Sequence, residues 1–146
     1  MIKVFLVEDE KIIRKSIKNN VKWEENGFKI VGEAASGKEA LEYINYHEVD
    51  IVVTDINMPG MDGLQFTEAL LQKNPKCRVV IVTGFREFEY ARKAIKLGVD
   101  EFLLKPINIK EISEVMAKLK EEINQRNKEA TEVAKLKESM ENNYDI

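Results

Sequence analysis

Five short apolar runs alternate with longer amphipathic segments over the first 104 residues, and this alternation limits the possible fold more than any other feature. The apolar runs predict strands at residues 3–8, 29–34, 50–54, 78–83 and 100–104. Apolar residues at helical spacing predict helices at residues 10–22, 37–47, 63–73 and 87–97. Continuous apolar strands are typical of parallel sheets that helices cover on both faces. The sequence therefore predicts a doubly wound α/β domain with a five-stranded parallel sheet.

Composition limits the class of protein further. The chain has 146 residues, of which 44% are hydrophobic, which suits one domain with its own core. Its net charge of −3 does not favour nucleic-acid binding by the chain as a whole, because phosphate contacts need clustered Lys and Arg. Cys77 is the single cysteine, so an internal disulfide is excluded and a cytoplasmic location is favoured. We expect neither a signal peptide nor a membrane span, since the required apolar segments are missing.

The last part of the chain has a different pattern. Apolar residues recur at alternating four- and three-residue steps, at Ile112, Met116, Leu119 and Ile123. After an interruption at Arg126 the pattern resumes, at Val133, Leu136 and Met140. We expect one globular domain over residues 1–124 and a helical linker or tail over 125–146, with a disordered end from Asn142. The tail is either a solvated extension or a coiled-coil dimer linker.

Polar residues that suit phosphoryl chemistry follow four of the five predicted strands, at Glu8 and Asp9, Asp55, Thr83 and Lys105. The carboxyl ends of parallel strands share one edge of the sheet, where such folds bind ligands. An aspartate can act as a nucleophile toward phosphorus, and Asp55 ends the central apolar strand. Mg²⁺ prefers oxygen ligands, which Asp9 and Asp55 can supply directly and Glu8 through water. Lys105 and Thr83 can bind phosphoryl oxygens.

Each of these residues also has a structural explanation. An acidic pair after a strand often caps a helix, and an aspartate at a strand end often forms a turn. Thr83 alone would be an ordinary strand residue, and Lys105 alone a solvated lysine. Asp62 is expected to cap a helix that begins near Gly63. The functional interpretation is favoured because these residues recur at the same edge.

The chain resembles the receiver domain of two-component response regulators over about residues 1–124. The motifs that carry this resemblance are Phe5-Leu6-Val7-Glu8-Asp9-Glu10, Thr54-Asp55-Ile56-Asn57-Met58-Pro59-Gly60-Met61-Asp62-Gly63, Val82-Thr83-Gly84 and Phe102-Leu103-Leu104-Lys105-Pro106. Together they are highly specific. The resemblance implies a (βα)5 fold with a flavodoxin-like sheet, and a cis bond between Lys105 and Pro106.

The resemblance also implies a function and a set of roles. Asp55 would accept a phosphoryl group from a sensor histidine kinase, and Thr83 and Lys105 would hold its oxygens. Mg²⁺ would be the cofactor, with ligands from Glu8, Asp9, Asp55 and the backbone carbonyl of Asn57. Such a domain catalyses its own phosphorylation and turns over no external substrate, so it is not an enzyme in the ordinary sense.

A switch between two states follows from the same resemblance. Thr83 would move toward the phosphate and the ring of Phe102 would swing inward; alternatively, Phe102 is a plain core residue. The fourth and fifth helices would then form or release a homodimer contact, as could the C-terminal helix. Because Phe85 cannot orient a hydrolytic water two residues after Thr83, we expect slow self-dephosphorylation, with Asn57 as the remaining polar neighbour; alternatively, Phe85 points away from the site and packs in the loop.

Two segments narrow the subfamily. Residues 21–28 lengthen the connection to the second strand, and residues 84–91 open the fourth helix. Both resemble regulators of the AraC type (YesN-like), in which the receiver is joined to a helix-turn-helix DNA-binding domain. DNA would be bound only through such an output domain, for which we expect residues 125–146 to be too few and too acidic, and transcription would be the controlled output. No membrane partner is expected.

Three other classes of protein are alternatives to a phosphorylation switch. A phosphorylation-independent dimerising scaffold would keep the fold without the chemistry, but the acidic cluster is intact. A flavodoxin-like cofactor binder would need a phosphate-cradling loop where Glu8-Asp9-Glu10 would repel a flavin phosphate. A haloacid-dehalogenase-type phosphatase would favour a carboxylate at the position of Asn57 and a longer chain for its cap.

Overall fold

The computed structural model describes residues 1–84 and 88–144 of the chain. Its strands are β1 (Ile2–Val7), β2 (Phe28–Ala34), β3 (Ile51–Asp55), β4 (Arg78–Thr83) and β5 (Glu101–Leu104). Its α-helices are α1 (Lys11–Asn20), α2 (Gly37–Ile44), α3 (Gly63–Lys73), α4 (Phe88–Leu97) and α5 (Ile109–Tyr144). A short 3-10 helix, Glu24–Asn26, precedes β2. Strands and helices therefore alternate as the sequence predicted.

The strands form one parallel sheet in the order β2-β1-β3-β4-β5. This order confirms the doubly wound, flavodoxin-like prediction, and the chain reverses its direction of winding between β1 and β3. All five residues of β3 are buried, as are the last five of β4. The carboxyl ends of β1 and β3 are neighbours at the reversal point, where a ligand crevice is expected.

Several element boundaries differ from the predicted ones for local reasons. The strand predicted from residue 50 begins at Ile51, and the carboxylate of the preceding Asp50 accepts a hydrogen bond of 2.8 Å from the backbone N–H of Lys3. The helix predicted to reach residue 47 ends at Ile44, and the Asn45 N–H closes it on the Leu41 carbonyl. The fourth helix is described only from Phe88.

The pairing of β1 with β2 contains one irregularity. Val4 pairs with Ile30 and Phe5 with Gly32, so Val31 is the extra residue of a β-bulge. The Tyr43 hydroxyl donates a hydrogen bond of 2.9 Å to the Val31 carbonyl. A Cβ atom at residue 32 would lie 2.7 Å from Cε2 of Phe5, so glycine is the residue that fits there. The bulge shifts the second half of β2 by one residue relative to β1.

The chain forms two compact units, Met1–Ser113 and a second one that begins at Glu114. The four residues with the predicted spacing in α5 are all buried, namely Ile112, Met116, Leu119 and Ile123. Residues 127–140 are exposed, and the helix continues to Tyr144. The helix therefore includes residues 142–144, where a disordered end was expected, because no Gly or Pro interrupts it. In the described part of the chain, no helix combines the length and apolar character needed to cross a membrane.

Candidate functional site

Three carboxylates meet at the carboxyl ends of β1 and β3. Glu8 and Asp9 follow β1 and Asp55 is the last residue of β3, and one oxygen from each lies within 4.8 Å of the others. Glu8 and Asp55 are almost fully buried, with exposed fractions of 2% and 3%, whereas Asp9 is half-buried. The N-cap of α1 is Glu10, so neither member of the acidic pair occupies the cap position that a purely structural explanation would give it.

The ammonium group of Lys105, the residue directly after β5, completes this cluster. Its Nζ lies 3.1 Å from Oδ2 of Asp55 and 3.5 Å from Oε1 of Glu8. The backbone N–H of Lys105 donates a 2.8 Å hydrogen bond to the carbonyl of Thr83, which holds the chain at the sheet edge. The bond between Lys105 and Pro106 is cis, as predicted. One cation therefore contacts two buried carboxylates that come from different strands.

Burial and like charge perturb the ionisation of this group. The pKa of Glu8 is raised from 4.5 to about 8, first by burial and then by the negative charge of Asp55 and a hydrogen bond with it. The positive charge of Lys105 partly offsets this shift by lowering the pKa of Glu8. Burial opposes the charge of Lys105 itself, but the neighbouring Asp55 and Glu8 outweigh it and raise the lysine pKa. The cluster thus carries excess negative charge that one lysine only partly compensates.

The position of Asp55 depends on the loop that follows it. The Asn57 N–H donates to Oδ1 of Asp55 at 3.4 Å, and the Gly63 N–H donates to the Ile56 carbonyl at 2.8 Å. A Cβ atom at residue 63 would lie 2.6 Å from the Ile56 Cα and closer still to the Asp55 carbonyl oxygen. Asp62 caps α3 in a capping box with Gln65, which confirms the predicted cap. The helix start is thereby packed directly against the backbone of Asp55.

The structure places the remaining predicted residues as follows. Thr83 ends β4, is fully buried, and its hydroxyl donates to the Gly84 carbonyl at 3.2 Å. Phe102 lies in β5 with 37% of its surface exposed, so the interpretation as a plain core residue is wrong. Phe85 lies outside the described residues.

One contact at the site was not predicted. Nη1 of Arg14, in α1, donates a 2.6 Å hydrogen bond to the backbone carbonyl of Glu8. The available signal was a basic residue within the first turns of the helix that follows the acidic pair. That signal is weak, because most arginines on an amphipathic helix face solvent.

Residues 4–117 match the family model of the response regulator receiver domain. The receiver domain of AraT from Geobacillus stearothermophilus is 42% identical and superimposes with a TM-score of 0.82, covering 86% of this chain and 97% of that one. A two-component transcriptional regulator AraC from Clostridium phytofermentans is 28% identical with a TM-score of 0.81, covering 87% and 98%.

Curated relatives are longer than this chain. The uncharacterized transcriptional regulatory protein YesN of Bacillus subtilis is 40% identical over 124 residues, which is 82% of this chain and 34% of that protein. The transcriptional regulatory protein HptR of Staphylococcus aureus is 32% identical over 82% of this chain and 46% of its own length. The chain thus spans less than half of these relatives. The predicted resemblance, including its AraC-type subfamily, is confirmed: the chain belongs to the family of response regulator receiver domains, whose general role is phosphorylation-based switching.

Proposed function

We propose that Asp55 is the phosphoryl acceptor of this receiver domain and that a sensor histidine kinase is the donor. The observation that carries the proposal is the contact of Lys105 with Asp55 at 3.1 Å in a buried acidic cluster. In the transfer, a carboxylate oxygen of Asp55 bonds to phosphorus while the bond from phosphorus to the histidine nitrogen breaks. The imidazole leaves with that electron pair, and the aspartate becomes an acyl phosphate.

Mg²⁺ is the proposed cofactor. The donors at this edge are all oxygens, from Glu8, Asp9 and Asp55, and a hard divalent cation is the ion that such a set suits. The backbone carbonyl of Asn57 is the further proposed ligand. When bound, the ion would supply positive charge where two anionic groups have to approach each other. Lys105 would bind a phosphoryl oxygen as a point charge, and Thr83 would donate a hydrogen bond to another.

The proposed output surface is the face of α4 and α5, together with the exposed residues of β5. Phe102 and Leu104 of β5 are exposed at 37% and 42%, and Ile95 of α4 and Ile109 are exposed as well. We propose that phosphorylation at Asp55 draws Thr83 toward the phosphate and Phe102 inward, which changes this apolar face. A homodimer contact or an output domain that prefers one arrangement would then read the change.

The kinase is proposed to approach over α1. An apolar pocket of about 530 Å³ lies beside Lys105 and is lined by Ile12, Ile13, Ser16, Ile17, Lys105, Pro106 and Ile107. Ile12 is 84% exposed and lines this pocket, so its side chain adds to an apolar surface that suits contact with a partner. A side chain docked there would approach the lysine that contacts Asp55.

The remaining proposals concern the whole protein. We propose that residues 1–124 form the receiver and that 125–146 lead to a DNA-binding output domain that controls transcription. The length of the curated relatives supports this, since the chain covers 34% to 46% of them. A cytoplasmic location is proposed, where the single thiol of Cys77 would stay reduced. Turnover of an external substrate is not part of the proposed function.

The test is the mass of the intact protein after incubation with acetyl phosphate, with and without Mg²⁺. We expect a single phosphoryl adduct that requires Mg²⁺ and is absent in Asp55→Asn. Asp50→Asn is the matched control, because Asp50 lies one residue before the other end of β3 and its carboxylate binds only backbone in the described contacts. An adduct that persists in Asp55→Asn would contradict the assignment of the acceptor.

A second candidate is a scaffold that dimerises without phosphorylation. Three exposed apolar residues along α5 favour it, namely Val133, Leu136 and Met140. Sedimentation velocity of the unphosphorylated and phosphorylated protein separates the two candidates. A dimer of equal stability in both forms would support the scaffold, whereas a dimer that phosphorylation strengthens or weakens would support the switch.

A further inference from the structure

Arg14 connects the acidic loop to the neighbouring strand. Its guanidinium donates to the Glu8 carbonyl at 2.6 Å through Nη1 and contacts Oε1 of Glu33 at 3.3 Å through Nε. The Arg14 side chain is only 13% exposed, whereas that of Glu33 is 34% exposed, so the guanidinium is largely buried and its carboxylate partner is partly accessible to water. The carbonyl that it binds belongs to the peptide unit between Glu8 and Asp9. Arg14 therefore fixes the orientation of the segment from which two of the three clustered carboxylates project.

The β-bulge supplies the partner that holds Arg14 in place. Because Val31 is the extra residue, Glu33 pairs with Leu6 in the register, and its side chain reaches α1. Lys18, one turn after Arg14, also contacts Glu33, at 3.3 Å. Burial opposes the charge of Glu33, but the hydrogen bonds from Lys18 and Arg14 lower its pKa. The carboxylate is thus ionised and oriented by two cations.

We infer that Arg14 is a positioning residue for the acidic cluster, which rests on the proposed Mg²⁺ function. It aligns the Glu8-Asp9 peptide unit so that the carboxylates are arranged for the cation before it binds. Groups that orient metal ligands from behind typically change metal affinity about 10-fold or more when they are removed. Removal of Arg14 also leaves the Glu8 carbonyl without its charged donor, which frees the segment to move.

Charge and positioning predict opposite results for the same substitution. Removal of a cation near an acidic site makes the site more negative, so the charge effect alone would tighten Mg²⁺ binding in Arg14→Met. Loss of the positioning contact would instead weaken Mg²⁺ binding in the same variant. Lys18→Met is the matched control, because it removes an equal charge from the same helix and from the same carboxylate without a described contact to the Glu8 carbonyl.

The experiment is calorimetric titration of the chain with MgCl₂, without any phosphoryl donor, for wild type, Arg14→Met, Arg14→Lys and Lys18→Met. We expect the dissociation constant to rise about 10-fold in Arg14→Met. It should stay equal or fall slightly in Lys18→Met. Arg14→Lys should lie between wild type and Arg14→Met, because lysine keeps the charge but cannot donate to both the carbonyl and Glu33.

Amide NMR spectra of the metal-free variants give a second readout. The amide signals of Asp9 and Glu10 should move or broaden in Arg14→Met and stay in place in Lys18→Met. If Arg14→Met does not fold, Arg14→Lys carries the test, since it keeps the positive charge and weaker Mg²⁺ binding would then report lost positioning; wild-type affinity in Arg14→Lys would overturn the inference. Wild-type affinity or tighter binding in a folded Arg14→Met variant would overturn the inference. Absence of Mg²⁺ binding in wild type would instead count against the proposed function.

Discussion

At the scale of single residues, aspartates at the two edges of the sheet have different partners. At the amino-terminal edge, the Asp50 carboxylate accepts from the Lys3 N–H and that of Asp100 from the Val79 N–H, each at 2.8 Å. Arg78 also contacts Asp100, at 2.9 Å. These carboxylates extend the hydrogen bonding of the strands. At the opposite edge, Asp55 faces other carboxylates and a lysine, so its environment favours a cation or a phosphoryl group.

The Glu8 carboxyl group should make stability depend on pH. Its pKa is about 8 in the folded, metal-free domain against 4.5 for the ordinary group, so the folded state binds the proton more tightly. The free energy of unfolding should therefore fall as pH rises from about 4.5 to about 8. A tenfold change in proton affinity corresponds to about 1.4 kcal/mol, so we expect a loss of a few kcal/mol. Urea denaturation in the presence of EDTA, repeated at several pH values, measures this change in the free energy of unfolding.

Glu8→Gln removes the titrating group and should flatten this dependence. Glu48→Gln is the control, because its side chain is 79% exposed and contacts only Lys3 among the described ion pairs. Its pH profile should match that of wild type. An equal slope in wild type and Glu8→Gln would show that other groups cause the dependence.

Gly63 is required by the backbone of Asp55. In Gly63→Ala the added methyl group would meet the Asp55 carbonyl oxygen and the Ile56 Cα, neither of which can turn away as a side chain can. Overpacking of this kind costs about 1–3 kcal/mol. We expect that loss in urea denaturation, together with slower phosphorylation by acetyl phosphate because Asp55 shifts.

The control for this substitution is Gly37→Ala at the start of α2. There the added Cβ would lie 3.1 to 3.2 Å from side-chain atoms of Met61 and Phe66, of which Met61 is flexible. Stability should change less than in Gly63→Ala, and the phosphorylation rate should stay the same. A larger loss of stability in Gly37→Ala than in Gly63→Ala would mean that contact with the backbone of Asp55 and Ile56 does not determine the cost of the added methyl group.

At the scale of elements, the bulge in β2 depends on α2. The Val31 carbonyl at the bulge receives the Tyr43 hydroxyl from that helix, and the ring of Tyr43 packs on Phe5 with centroids 4.8 Å apart. Tyr43→Phe keeps the ring and removes the hydrogen bond, so we expect a loss of about 1 kcal/mol in the free energy of unfolding. Tyr46→Phe, at a residue that is 86% exposed, should have no measurable effect. Equal free energies of unfolding for Tyr43→Phe and Tyr46→Phe would contradict this role for the Tyr43 hydroxyl.

At the scale of the whole molecule, the tail should add little to stability. Residues 127–140 are exposed, so a chain ending at residue 125 loses few buried contacts. We expect its unfolding free energy to agree with that of the full chain within about 0.5 kcal/mol. Ile123→Ala, in the same helix but at a buried position, should cost about 2–5 kcal/mol. A truncated chain as unstable as Ile123→Ala would indicate that the tail is packed in solution, for example in a dimer.

The sequence by itself determined the architecture and the members of the site. Apolar periodicity reports local structure, and the alternation of strands with helices leaves few topologies for a parallel sheet. Because carboxyl ends of parallel strands share an edge, the order of Glu8, Asp9, Asp55 and Lys105 in the chain was enough to predict that they meet. The capping function of Asp62 was predictable because a helix cap is a local interaction between residues that are close in sequence.

The tertiary structure decided how those residues are held and charged. The contact of Arg14 with Glu8 and Glu33 depends on a bulge at Val31, and no local pattern marks that one-residue shift in register. The shared contact of Lys105 with two carboxylates, and the raised pKa of Glu8, depend on burial by distant strands. Periodicity describes what one segment prefers, whereas hydrogen-bond partners and desolvation are properties of segments that meet only after the chain has folded.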